Sequence, residues 1–79
     1  MAQLSDEDIL LKNKIAERIT FFRKNTGLTQ SEFAKKHEID RQLLNRWESI
    51  NNKRGVNIYT ISKFCNLIGI SLKDFFDFD

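Results

Sequence analysis

The chain has 79 residues, 13 Lys or Arg against 11 Asp or Glu for a formal net charge of +2, and 41% hydrophobic residues. That length makes one small domain, residues 1–79, with a modest core whose marginal stability association would help, and the apolar fraction excludes a disordered chain. The single Cys65 excludes an internal disulfide and fits a reducing, cytoplasmic setting, while no apolar run approaches membrane length and the acidic Asp6-Glu7-Asp8 is unlike the start of a signal peptide.

After Met1 to Leu4, expected to fray, Ser5 with Asp8 three residues on reads as a cap for a first helix, predicted from about Asp6 to Asn25. Its stripe is Leu11, Ile15, Ile19 and Phe22, at helical spacing. Ile9 and Leu10 extend its start and are read as core, with a partner surface as the alternative. Gly27 lies just past the end, where a left-handed residue is wanted. Thr29 and Glu32 form a capping box for a second helix, Gln30 to about Lys36. His37-Glu38-Ile39 is the turn that follows. Asp40 then caps a third helix, Arg41 to about Ser49. Asn57 caps a fourth, with Ile58, Ile61, Phe64, Cys65 and Ile68 turned inward and Gly69 at its end. Ser71 and Asp74 box a last short helix. There is no proline and no run of strand period, so the expected fold class is all-α, with five helices and no sheet.

The stretch from Thr29 to Glu48 carries the chemistry. In the third helix Leu44 and Trp47 share one face, which leaves Arg41, Gln42, Asn45 and Arg46 on the other. These side chains form paired hydrogen bonds with base edges, Arg with guanine and Gln or Asn with adenine. Two short capped helices, the second bearing such a face, read as a DNA-binding helix-turn-helix. Asn51, Asn52, Lys53 and Arg54 in the next loop suit phosphates, by charge and by hydrogen bonding; a plain polar turn is the blander alternative. From Lys12 to Lys63 there are twelve Lys or Arg and five Asp or Glu, a net +7 between acidic ends. Such a middle fits a phosphate-binding face or an ordinary solvated surface.

Other residues favour structural readings. Cys65 in an apolar stripe is a small buried hydrophobe. His37, with no second His, is a partly buried structural residue and not a metal ligand; no metal or other cofactor is expected. Phe75, Phe76 and Phe78 crowd the last five residues. A short helix buries one or two such rings, and the rest, with Tyr59 and Leu72, would form an association surface. The alternative is that all fold back into the core.

Gly27-Leu28-Thr29-Gln30, then Glu32-Phe33-Ala34, then Leu44 to Glu48, resembles the Cro/phage-repressor (lambda-repressor-like) class of helix-turn-helix domains, over roughly Ile15 to Phe76. The resemblance implies a transcriptional regulator that binds double-stranded DNA. One recognition helix reads too few base pairs to find a site, so a homodimer on a palindromic operator is expected, with Tyr59, Leu72, Phe76 and Phe78 as dimer-interface candidates from the apolar surface above. It implies a phosphate clamp at Gln30, with Lys35 and Lys36 as weaker candidates, and a loop at Asn51 to Arg54 lying along the DNA backbone. It also implies a structural salt bridge between Arg23 and Glu48. Leu43 is left with two roles, contact with a thymine methyl or cover for Trp47. The chain departs from the family pattern in four places. Glu38 stands where glycine is usual, His37 where an aliphatic residue is usual, the loop after Glu48 is longer and lacks proline, and the first helix starts earlier. The Asn57 region and the final phenylalanines look loosely similar to controller proteins of restriction-modification systems. Two other readings share the fold: an antitoxin that binds both DNA and a toxin, and a protein-interaction module without DNA binding. No enzyme is expected, since one His, one Cys and no phosphate loop supply no catalytic set.

Overall fold

A computed structural model describes residues 4–78. Most of the segment expected to fray, Met1 to Leu4, lies outside them. The described residues form five helices and no strand: α1 Asp6–Asn25, α2 Gln30–Lys36, α3 Arg41–Glu48, α4 Ile58–Ile68 and α5 Leu72–Phe75. The fold class is thus all-α, in agreement with the caps and periodicities of the sequence.

Each helix begins where a short polar side chain can satisfy free backbone N–H groups. Ser5 and Thr29 close full capping boxes with Asp8 and Glu32. Asp40, Asn57 and Ser71 accept from backbone N–H groups two or three residues on. The first turn of α1 is acidic and its last turn basic, as the helix dipole favours. The end of α3 falls one residue earlier than expected, because Ser49 adopts an extended conformation, φ −87° and ψ 123°.

One core joins all five helices. Ile15 and Ile19 of α1, Phe33 of α2, Leu44 and Trp47 of α3, Ile61, Phe64 and Cys65 of α4, and Phe75 of α5 are buried together. Phe33, Phe64, Phe75 and Phe22 run through it as a chain of stacked and edge-on rings, with centroids 5.8 to 6.2 Å apart. Such pairs add to what burial alone contributes. Partly buried Leu28, Ile39, Leu43 and Val56 seal the margins.

Four apolar positions expected inside are at the surface. Ile9, Leu10 and Leu11 are exposed, Leu10 by 63%. The cause is length: α1 has 20 residues, roughly 30 Å at about 1.5 Å per residue, while the longest of its neighbours has 11. Core contacts begin at Ile15, so the first turns overhang. Ile58, also exposed, opens α4 one turn before Ile61, beyond the rim of the core.

The turn between α2 and α3 runs through Glu38, at φ 56°. It is the one described non-glycine residue with positive φ, at the position where the family commonly has glycine. Among the described residues no helix is long and apolar enough to cross a membrane.

Candidate nucleic-acid interface

The outer side of α3 is polar and its inner side apolar. Leu44 and Trp47 are buried, whereas Arg41, Gln42, Asn45 and Arg46 are exposed. Arg41 and Asn45, and likewise Gln42 and Arg46, are four residues apart, so the set forms two adjoining rows along the helix. Asp40 Oδ1 accepts from Gln42 N at 2.8 Å, which holds the first turn firmly. Leu43 is half-buried and packs against the margin of the core.

Behind this face stands one carboxylate with four donors. Arg23 Nε donates to Glu48 Oε2 at 2.7 Å and Arg23 Nη2 to Oε1 at 3.1 Å. The Thr20 hydroxyl reaches Oε1 at 3.1 Å and the Gln30 amide at 3.2 Å. Arg23 spends its Nη1 on the Leu28 carbonyl at 2.8 Å. The Arg23 and Glu48 side chains are 10% and 5% exposed, and a buried pair of charges persists only when its remaining hydrogen-bonding sites are also met. The cluster ties the end of α3 to α1 and to the first residue of α2. Gln30 therefore sits at the N-terminus of α2 with its amide already oriented by Glu48.

The loop after α3 is braced from α1. Lys12 Nζ donates to the Ile50 carbonyl at 2.8 Å and to Asn13 Oδ1 at 3.0 Å. Gly55 adopts φ 71°, and a Cβ there would lie 2.9 Å from Lys12 Cγ, so the lysine stem and the loop backbone need glycine between them. Inside the loop the Ser49 hydroxyl accepts from Asn51 N, and Asn52 Oδ1 from Arg54 N, both at 3.2 Å. Asn51, Lys53 and Arg54 are exposed and Asn52 is half-buried. Arg46 and Trp47 of α3 meet Asn52, Arg54 and Val56 around a shallow groove of about 180 Å³. The third helix and the loop are thus adjacent parts of one surface. Lys35 and Lys36 are exposed in the last turn of α2.

His37 closes α2, its ring 4.3 Å from that of Phe33. Half-burial, then the neighbouring Lys36 charge, lower its pKa from the ordinary 6.5. Burial pushes the Cys65 thiol up, its own backbone hydrogen bond opposing in part.

At the C-terminal end Leu72 is exposed while Phe76 and Phe78 are half-buried; Tyr59, in the first turn of α4, is 82% exposed. Arg18 holds this end to α1, with Nε donating to the Phe75 carbonyl at 2.9 Å and Nη2 to the Asp74 carbonyl at 3.0 Å. Its guanidinium lies over Phe22, Phe21 and Phe78, and Lys14 also lies over Phe78. Cations over ring faces are attracted by the ring quadrupole.

Thr20, Lys12 and Arg18 were not singled out from the sequence. Thr20 is three residues before Arg23 on α1, a spacing that puts both on one face and could have marked it. Nothing local marks Lys12 or Arg18, whose acceptors lie 38 and 56 or 57 residues away.

No curated protein and no solved structure matches the chain. The sequence profile described as the Cro/C1-type HTH DNA-binding domain matches residues 9–79. With that span, a five-helix fold and a helix pair joined by a tight turn, the chain belongs to the Cro/C1-type helix-turn-helix DNA-binding family.

Proposed function

We propose that the protein is a transcriptional regulator that binds a palindromic operator as a homodimer, with α3 in the major groove. The observation that carries this reading is the exposed row of Arg41, Gln42, Asn45 and Arg46 over buried Leu44 and Trp47. Arg41 and Arg46 present planar forks suited to guanine O6 and N7, and Gln42 and Asn45 suit adenine N6 and N7. Gln30 and the loop residues Asn51, Asn52, Lys53 and Arg54 hold phosphates, fixing the angle at which α3 enters. One Gln30 N–H is taken by Glu48; the other is free to meet a phosphate oxygen beside the α2 N-terminus, which favours anions. The Arg23–Glu48 pair sets the relative positions of α1, α2 and α3, and takes no chemical step.

A homodimer supplies the second half-site. One short helix reads too few base pairs to single out a site, and two copies on a two-fold axis read both halves of a palindrome. The C-terminal surface with Tyr59, Leu72, Phe76 and Phe78 supports association, because it keeps apolar area in solvent. Selection of bound duplexes from random DNA tests the reading. A palindromic consensus with half-sites about one helical turn apart is the expected result. Recovery of no consensus would overturn it, and a consensus without two-fold symmetry would overturn the homodimer.

A further inference from the structure

One side of α1 faces away from the core. From Lys12 onward its exposed residues are Lys14, Glu17, Phe21, Lys24 and Asn25. Leu10 and Glu7, also exposed, continue the row toward the N-terminus. Glu7, Leu10, Lys14, Glu17, Phe21 and Lys24 succeed one another at alternating spacings of three and four, the repeat that keeps a single seam along a helix. The seam lies on the side of α1 away from buried Ile15 and Ile19. Phe21, 49% exposed, borders a groove of about 230 Å³ that Lys14, Glu17, Arg18 and Phe78 also line.

The seam reads acidic, apolar, basic, acidic, apolar, basic. Turned end for end against itself, it is complementary. With a two-fold axis between Lys14 and Glu17, Glu7 of one protomer faces Lys24 of the other, Leu10 faces Phe21, and Lys14 faces Glu17. A parallel pairing in register would put every charge opposite its like. Lys14 keeps its place over the Phe78 ring, and the pairing asks only that its charge stand near the axis.

We propose that this seam is a contact surface for a second copy of the chain, α1 packed antiparallel on α1, with Leu10 of each protomer entering the groove beside Phe21 of the other. The inference rests on the homodimer reading above and gives that dimer an axis. Phe78 belongs both to the groove wall and to the C-terminal surface, so the two surfaces are continuous. That continuity matters, because a single short helix pair falls below the roughly 1,600 Å² of a standard stable interface.

The test uses the full chain. Glu7→Cys and Lys24→Cys proteins, mixed and treated with a short bismaleimide, are expected to cross-link to each other but not to themselves. Antiparallel register brings position 7 against position 24, and separates each position from its own counterpart by about 25 Å along the helices. The unsubstituted chain is the blank, because Cys65 is buried. In sedimentation, Glu7→Lys is expected to weaken dimerisation about fivefold to tenfold, since symmetry uses the pair twice. Adding Lys24→Glu to Glu7→Lys should restore it. A dimer that ignores these charge changes and gives no mixed cross-link would overturn the α1 axis while the homodimer stands. A chain that stays monomeric at millimolar concentration would sink both.

Discussion

Arg46 and Arg54 stand on the rim of one groove, yet the proposed contacts give them different work. Arg46, with Arg41, reads bases; Arg54, with Lys53, holds phosphates. Arg41→Ala or Arg46→Ala should cost about 1–3 kcal/mol on the selected operator and relax preference at one position per half-site. Lys53→Ala or Arg54→Ala should weaken operator and random DNA alike. Competition binding in which the two pairs behave identically would refute the division. At the same scale, two groups make stability depend on pH in separate windows. His37 has a folded pKa below the ordinary 6.5, so its neutral form favours the fold. Its contribution is complete above that value and is lost as pH falls toward the folded pKa. Glu32 is held below its ordinary 4.5 by the Thr29 backbone and side chain, so its contribution is complete above 4.5 and is lost as pH falls further. Thermal melts from pH 7 to pH 5 should show a decline that His37→Leu abolishes, while the decline at lower pH persists. Equal declines in both proteins would assign the upper window to another group.

Among the elements, the turn between α2 and α3 holds backbone strain and the N-terminus of α2 holds a local stabilising contact. Glu38 at φ 56° is an L-residue in the left-handed region, which costs roughly 1–2 kcal/mol, and glycine avoids the clash at some entropic cost of its own. Glu38→Gly should therefore raise stability by up to about 1 kcal/mol, a rise of about 4–8 °C in melting temperature for a domain of this size. Thr29→Ala removes the hydroxyl that accepts from Glu32 N at 3.1 Å and should cost about 1 kcal/mol. Both changes lie within the helix-turn-helix, so denaturant titration reads the stability and operator affinity reports whether the α2–α3 geometry has moved. A destabilised Glu38→Gly protein would mean that the glutamate side chain contributes more than its backbone costs.

For the whole molecule, charge and shape combine. The stretch from Lys12 to Lys63 carries a net +7, and the chain's extents are 37 × 25 × 19 Å, so the basic residues are concentrated on a small body. A dimer neutralising roughly six to ten phosphates should lose about 10³ to 10⁵ in affinity between 50 and 200 mM salt. The loss should appear on operator and scrambled duplex together, with a shallower slope after Lys53→Ala or Arg54→Ala. Base contacts should keep a gap between the two duplexes at every salt concentration. Fluorescence anisotropy across a salt series measures both; a flat response, or no gap, would refute the DNA-regulator reading and favour a protein-interaction module.

Helix starts and the polar face of α3 were legible in the sequence, because caps and periodicity act over a few residues. Ser5, Thr29, Asp40, Asn57 and Ser71 each bond backbone N–H groups two or three positions on, and no distant contact is needed to place them. Leu44 and Trp47 face inward by spacing alone. Burial at the helix ends was not legible. Leu10, Leu11 and Ile58 have the pattern of core residues but are exposed, since their fate depends on how far neighbouring helices extend beside them. The donors converging on Glu48 of α3 come from two other helices, α1 and α2, and the Lys12 brace joins residues 38 apart. Such contacts are set by the mutual packing of α1, α2, α3 and the loop, a quantity that no local pattern of side chains encodes.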